Sequence, residues 1–138
     1  MFKTIKSRVW AFDAEWIPDP VAGKLLYKLQ YGISDLEVMQ RMWQEGGATE
    51  DDPMPYLKTV MCRIVTVAAV ERLVENDTTK LHLLSLPRDV NDPEQILEKN
   101  VVGTFLQKIG QYKPQIVGFN SASADIKAFI QRAIVLGV

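Results

Sequence analysis

The chain has 138 residues, 47% of them hydrophobic and 24% charged, with a formal net charge of −1. That size and balance fit one globular domain with a real core and exclude a global basic field that would draw in nucleic acid or an anionic membrane surface. A lone Cys62 excludes an intrachain disulfide framework and a multi-cysteine zinc site; with no signal peptide and no apolar run long enough for a bilayer, it points to a reducing, cytoplasmic setting.

Residues 8–16 alternate as a strand does. Val9, Ala11, Asp13 and Glu15 fall on one face; Trp10, Phe12, Ala14 and Trp16 fall on the other, and Pro18 and Pro20 stop the run. Residues 21–58 change character. In "SDLEVMQRMWQEGG" Ser34 caps a helix, Glu37 completes a capping box and Gly46-Gly47 ends it, with Leu36, Met39 and Trp43 as the expected apolar stripe. "ATEDDPMP" is an acidic, proline-punctuated loop. The stretch reads as an excursion from a sheet, too short for a core of its own, so that 1–138 forms a single domain.

"TVMCRIVTVAAVERL", from Thr59 to Leu73, is β-branched and apolar on both alternating sets, which predicts a central strand. "ENDTT" is turn-like and "KLHLLSL", Lys80 to Leu86, gives an antiparallel hairpin partner. "NDPEQ" announces a helix with Asp92 as cap and Pro93 at its first position, burying Ile96, Val101, Val102, Phe105, Leu106 and Ile109. "QIVGF", Gln115 to Phe119, reads as a short buried strand. A last helix from about Ser123 presents Ile126, Phe129, Ile130, Ala133 and Ile134 on one face, with Gly137 as its C-cap. The predicted class is α/β, with a mixed sheet: an antiparallel meander of three strands extended by a crossover to a fourth.

Two sets of carboxylates carry the chemistry. Asp13 and Glu15 share a strand face, their Cα atoms roughly 6.6 Å apart at about 3.3 Å rise per residue. Like charges at that spacing repel unless a cation lies between them, and a pair of hard divalent ions about 3.5–4 Å apart, Mg²⁺ or Mn²⁺, is the arrangement that clamps a phosphodiester during in-line displacement. The plain reading is that both acids are solvated at a strand end. In "IVGFNSASADIKAF", Asn120 follows a strand and Asp125 opens a helix; taken alone, Asn120 is a turn residue and Asp125 a first-turn acid favoured by the helix dipole. The two motifs together, each in its proper strand or helix context, favour a metal site.

"FDAEWIPDP" resembles the first motif, and "IVGFNSASADIKAFIQRAIVLG" the second motif, of the DEDD-type 3′–5′ exonucleases of the ribonuclease-H-like fold. The five-residue step from Asn120 to Asp125 is most similar to the predicted exonucleases related to the proofreading domain of family-B DNA polymerases. The resemblance implies a ribonuclease-H-like sheet and two-metal hydrolysis of single-stranded DNA or RNA from the 3′ end. It assigns Asp13 to both metals, Glu15 to the metal that holds the attacking water, and Asp125 to the other. Asn120 would meet the substrate. Trp16, read from its position rather than from the resemblance, is core or rim first and, beside Glu15, a candidate substrate contact by base stacking. Ala124 departs from the family, which carries an aromatic residue there. Those enzymes also have a third motif, with a fourth acid, on a later helix. The expectation is therefore of a chain shortened before that motif, inactive on its own and able to form a homodimer through surface the absent helix would cover.

The alternative reading is a ribonuclease-H-like module without catalysis that binds nucleic acid or a protein partner through residues 21–58. His82 reads as an ordinary strand residue, Cys62 as an inert core thiol, Trp10 as core, and Lys24 and Lys28 as a solvated face.

Overall fold

The computed structural model describes residues 4–30 and 32–138. In chain order the elements are β1 (Arg8–Pro18), α1 (Pro20–Leu26), α2 (Asp35–Glu45), β2 (Cys62–Glu75), β3 (Thr78–Leu86), α3 (Glu98–Tyr112), β4 (Gln115–Val117) and α4 (Asp125–Leu136). The four strands form one mixed sheet in the order β3-β2-β1-β4. The hairpin β2–β3 is antiparallel, and β4 runs parallel to β1 with Trp10 opposite Ile116. Asn76 and Asp77, both with positive φ, make the two-residue hairpin turn, a conformation whose twist matches that of the flanking strands. Among the described residues no helix is long and apolar enough to cross a membrane.

The chain divides into two compact units, one made of residues up to Glu15 with Ile64–Val138, the other of Trp16–Arg63. In the first unit, the alternation of β1 buries Trp10, Phe12 and Ala14 and leaves Ala11, Asp13 and Glu15 exposed. The buried face meets α3 and α4 through an aromatic cluster. Phe12 lies 5.5 Å from Phe105, and Phe105 lies 4.7 Å from Phe129, ring centre to ring centre, in the range where aromatic pairs attract beyond their buried area. A bidentate pair joins the two helices: Arg132 Nε and Nη2 donate to the two carboxylate oxygens of Glu98 at 2.7 and 2.6 Å. Glu98 Oε1 also accepts from the backbone amide of Ile64 at 2.7 Å.

The second unit differs from the expectation of a coreless excursion. Val38, Met42, Leu57 and Cys62 form a buried cluster, with Trp16, Tyr27, Leu29 and Trp43 packed around it. Helix α2 begins with the expected capping box, the Ser34 side chain accepting from the Glu37 amide and the Glu37 carboxylate accepting from the Ser34 amide. Its buried stripe is Val38 and Met42, however, not Leu36, Met39 and Trp43, and Leu36 is exposed. The reason is the approach of α1, where Gly23 lets the helices close so tightly that a Cβ there would meet Met42 Sδ and Val38 Cγ1 at 2.6 Å.

Other boundaries also shift. Thr59–Met61 is a 3-10 turn, and the central strand starts only at Cys62. Asp92 caps a turn by accepting from the amides of Glu94 and Gln95, and α3 begins five residues beyond Pro93, at Glu98, which leaves Ile96 exposed. Strand β4 is three residues long, and Phe119 beyond it is 98% exposed rather than buried. Helix α4 buries Asp125, Ala128, Phe129 and Arg132, an i, i+3, i+4, i+7 face, while Ile130 and Ile134 face solvent. Trp10 and Cys62 are core residues, and His82 pairs through Nδ1 with Glu71 at 2.9 Å. Lys24 is held by Asp35 at 2.8 Å.

Candidate active site

Strand β1 carries the first two acids. Extended backbone projects Asp13 and Glu15 to one side of the sheet, and both are exposed because the aromatic face of the strand is turned to the helices. The third acid arrives from the other end of the sequence. After β4, Gly118 lets the chain turn sharply: a Cβ at this position would lie 2.7 Å from Ser121 Cβ and 3.3 Å from the Phe12 carbonyl oxygen. Asn120 then takes a left-handed conformation, φ 51°, one that asparagine tolerates better than most residues. Its carbonyl accepts from the amides of Ser123 and Ala124, closing the turn that opens α4 at Asp125.

Asp125 is 4% exposed, and its Oδ1 accepts from the backbone amide of Ala14 at 3.3 Å. Ala14 is the residue between Asp13 and Glu15, so the acid at the head of α4 is fixed to β1 at the position that separates the two strand acids. Burial pushes the Asp125 carboxyl above the ordinary aspartate range. The amides of Asp125 and Ala14 oppose this rise, and the charge of Asp13 adds to it. A neighbouring cation would relieve both the desolvation and the repulsion.

The donor chemistry fits a hard divalent ion, since all three side chains offer carboxylate oxygens. Among the described residues, though, no three acids, histidines or cysteines are gathered closely enough to close a metal shell. Beside Asp13, a shallow groove of about 390 Å³ runs over the exposed sheet face past Phe12, Val70, Leu83 and Val117 to Phe119. Asn120 is exposed at the end of this segment. Trp16 lies in the second unit, where its ring meets Tyr56 edge-on at 6.4 Å. The sequence reading missed the Ala14 amide and the open Phe119. The first is a backbone group with no residue-type signature; the second sits in an apolar run that reads as core.

A mixed sheet in the order β3-β2-β1-β4 with helices packed on its aromatic face is the ribonuclease-H-like exonuclease fold. The chain belongs to the family described as predicted 3′–5′ exonucleases related to the exonuclease domain of PolB, which matches residues 54–138. That span holds Asn120 and Asp125; Asp13 and Glu15 precede it. No curated protein and no solved structure gives a significant match.

Proposed function

We propose that this chain carries the metal site of a divalent-metal-dependent 3′–5′ exonuclease acting on single-stranded ends of DNA or RNA. Asp13, Glu15 and Asp125 are its metal ligands, and Asn120 its substrate contact. The observation that carries the reading is the hydrogen bond from the Ala14 amide to Asp125 Oδ1, which ties the acid of α4 to the strand between the other two. When bound, Mg²⁺ or Mn²⁺ supplies charge stabilisation at the scissile phosphate and activation of the attacking water.

The chain's own part is positional. Asp13 and Glu15 both flank the Ala14 anchor, but it is the charge of Asp13 that bears on Asp125, so Asp13 is the acid best suited to share ions with its neighbours. Glu15, exposed on the same face as Asp13, is the ligand for the metal that holds the attacking water. Asp125 is buried and held by an amide, a rigid and poorly hydrated ligand that gains most from an ion. Phe119, open beside the groove that Asp13 lines, offers a ring face on which an unpaired base can stack. Because no three of the described acids are gathered into a closed shell, metal binding by these residues alone is weak.

The test pairs two measurements. Titration with Mn²⁺, read by calorimetry and by the electron paramagnetic resonance signal of the free ion, is expected to show saturable binding weaker than about micromolar. Asp13→Asn and Asp125→Asn should each reduce it at least tenfold. A 5′-labelled single-stranded oligonucleotide incubated with Mn²⁺ is expected to stay intact or nearly so, and robust 3′ trimming, or trimming that survives Asp13→Asn, would overturn the metal-site assignment. Mn²⁺ binding that is indifferent to both substitutions would overturn the ligand assignment. Oligonucleotide binding without any metal dependence would favour a non-catalytic module.

A further inference from the structure

Away from the carboxylates, on the opposite face of the sheet, α3 covers β1 and β2 but leaves the outer strand β3 largely open. The residues of β3 range from exposed to half-buried, whereas Val67 and Ala69 of β2 are buried. The uneven cover leaves a half-enclosed cavity of about 290 Å³ between the hairpin and α3. Trp10 and Phe105, 2% and 5% exposed, form its floor, and Leu84 and Leu86 of β3 line its outer wall. Arg88, exposed just past β3, and Lys108, half-buried on α3, also line it, and no Asp or Glu is among its lining residues.

We propose that this cavity binds a small amphipathic organic anion, a flat or branched hydrocarbon body with one carboxylate, sulfonate or phosphate group. Its volume is at the lower end of the ~300–1,000 Å³ common for ligand pockets, which suits a compact body of one or two rings. The aromatic floor takes a ring by offset or edge contact. Arg88 presents a planar fork of donors suited to two anion oxygens, and Lys108 adds a second cation on the facing element. The nearest acid on this face of β2, Glu71, is already engaged by Trp10 Nε1 at 2.9 Å, by His82 and by Arg8, so it does not claim either cation. Nothing in this assignment depends on the nuclease reading, because the metal acids are on the other face or at the head of α4.

The experiment compares three probes with one ring system and different charge: 2-naphthoate, 2-naphthalenemethanol and 2-naphthylmethylamine. Each is titrated into the ¹⁵N-labelled chain and followed by amide chemical shifts. 2-Naphthoate is expected to bind saturably, with its largest shifts at Leu84, Leu86 and Lys108, and at least tenfold more tightly than the amine. Arg88→Ala/Lys108→Ala should abolish that preference while changing affinity for the neutral alcohol less than twofold, which also shows that the cavity is intact. Equal affinity for the three probes would overturn the proposal. So would anion binding unaffected by the double substitution, or shifts centred on Val70, Val117 and Phe119 of the open face.

Discussion

Glu98→Gln removes one charge from the clasp between α3 and α4 and almost nothing else. The amide keeps an oxygen for the Ile64 amide, now 2.7 Å from Glu98 Oε1, and the side chain keeps its shape. What is lost is the negative charge facing Arg132, whose guanidinium donates twice to the carboxylate, at 2.7 and 2.6 Å. The two side chains are 7% and 12% exposed, so water cannot replace the missing charge. Breaking a buried pair on one side typically costs about 3–5 kcal/mol, because the surviving ion is left desolvated. At this chain length that corresponds to a fall in Tm of roughly 10–15 °C. The same buried face of α4 carries Asp125 two helical turns before Arg132, about 10 Å along the axis, so loosening the clasp should also weaken Mn²⁺ binding several-fold. Urea unfolding followed by circular dichroism gives the stability. The companion is Glu98→Gln/Arg132→Met, which has no charge to bury and still serves the Ile64 amide; it should recover to within about 1–2 kcal/mol of the parent. A loss below about 1 kcal/mol for the single variant, or a double variant no better than the single, would refute the account based on a stranded charge.

Three further outcomes are expected. Because the Asp125 carboxyl titrates higher folded than unfolded, its contribution is most favourable below the unfolded aspartate range and declines as pH rises through the folded value. Asp125→Asn should therefore stabilise the chain at pH 7 by about 0.5–2 kcal/mol while impairing metal binding, and urea midpoints at pH 7 that fall below the parent's would contradict this. Glu71 behaves oppositely. Burial tends to raise its carboxyl, but hydrogen bonds from Trp10 and His82 and the charge of Arg8 together hold it below the usual glutamate range. Its contribution is present above the unfolded glutamate value and is lost as pH falls through the folded one, so Glu71→Gln should cost about 1–3 kcal/mol at pH 7 and flatten the acid limb of a Tm–pH profile. Gly23→Ala should cost about 1–3 kcal/mol by forcing α1 off Met42 and Val38, read as a lower calorimetric Tm; an unchanged Tm would mean the helices part freely.

The sequence alone determined the elements whose signals are local. The alternation of Val9–Trp16 set which residues of β1 face the helices, because side-chain direction in a strand alternates wherever it lies. Ser34 and Glu37 marked the start of α2 and Gly137 the end of α4, because caps are satisfied within a few residues. The two acidic motifs were legible for the same reason, as spacings tied to a strand and to a helix start. Tertiary structure decided what depends on neighbours distant in sequence. The buried face of α4 is marked by Asp125 and Arg132, not by Ile130 and Ile134, since Arg132 finds its counter-charge 34 residues away on Glu98. Residues 16–63 have their own cluster because Gly23 admits α1 against α2, an approach that no helical periodicity encodes. Asp125 is fixed to β1 by the amide of Ala14, 111 residues earlier. An amide looks the same at every position in the chain, so only the path of the folded backbone determines which one a carboxylate will meet.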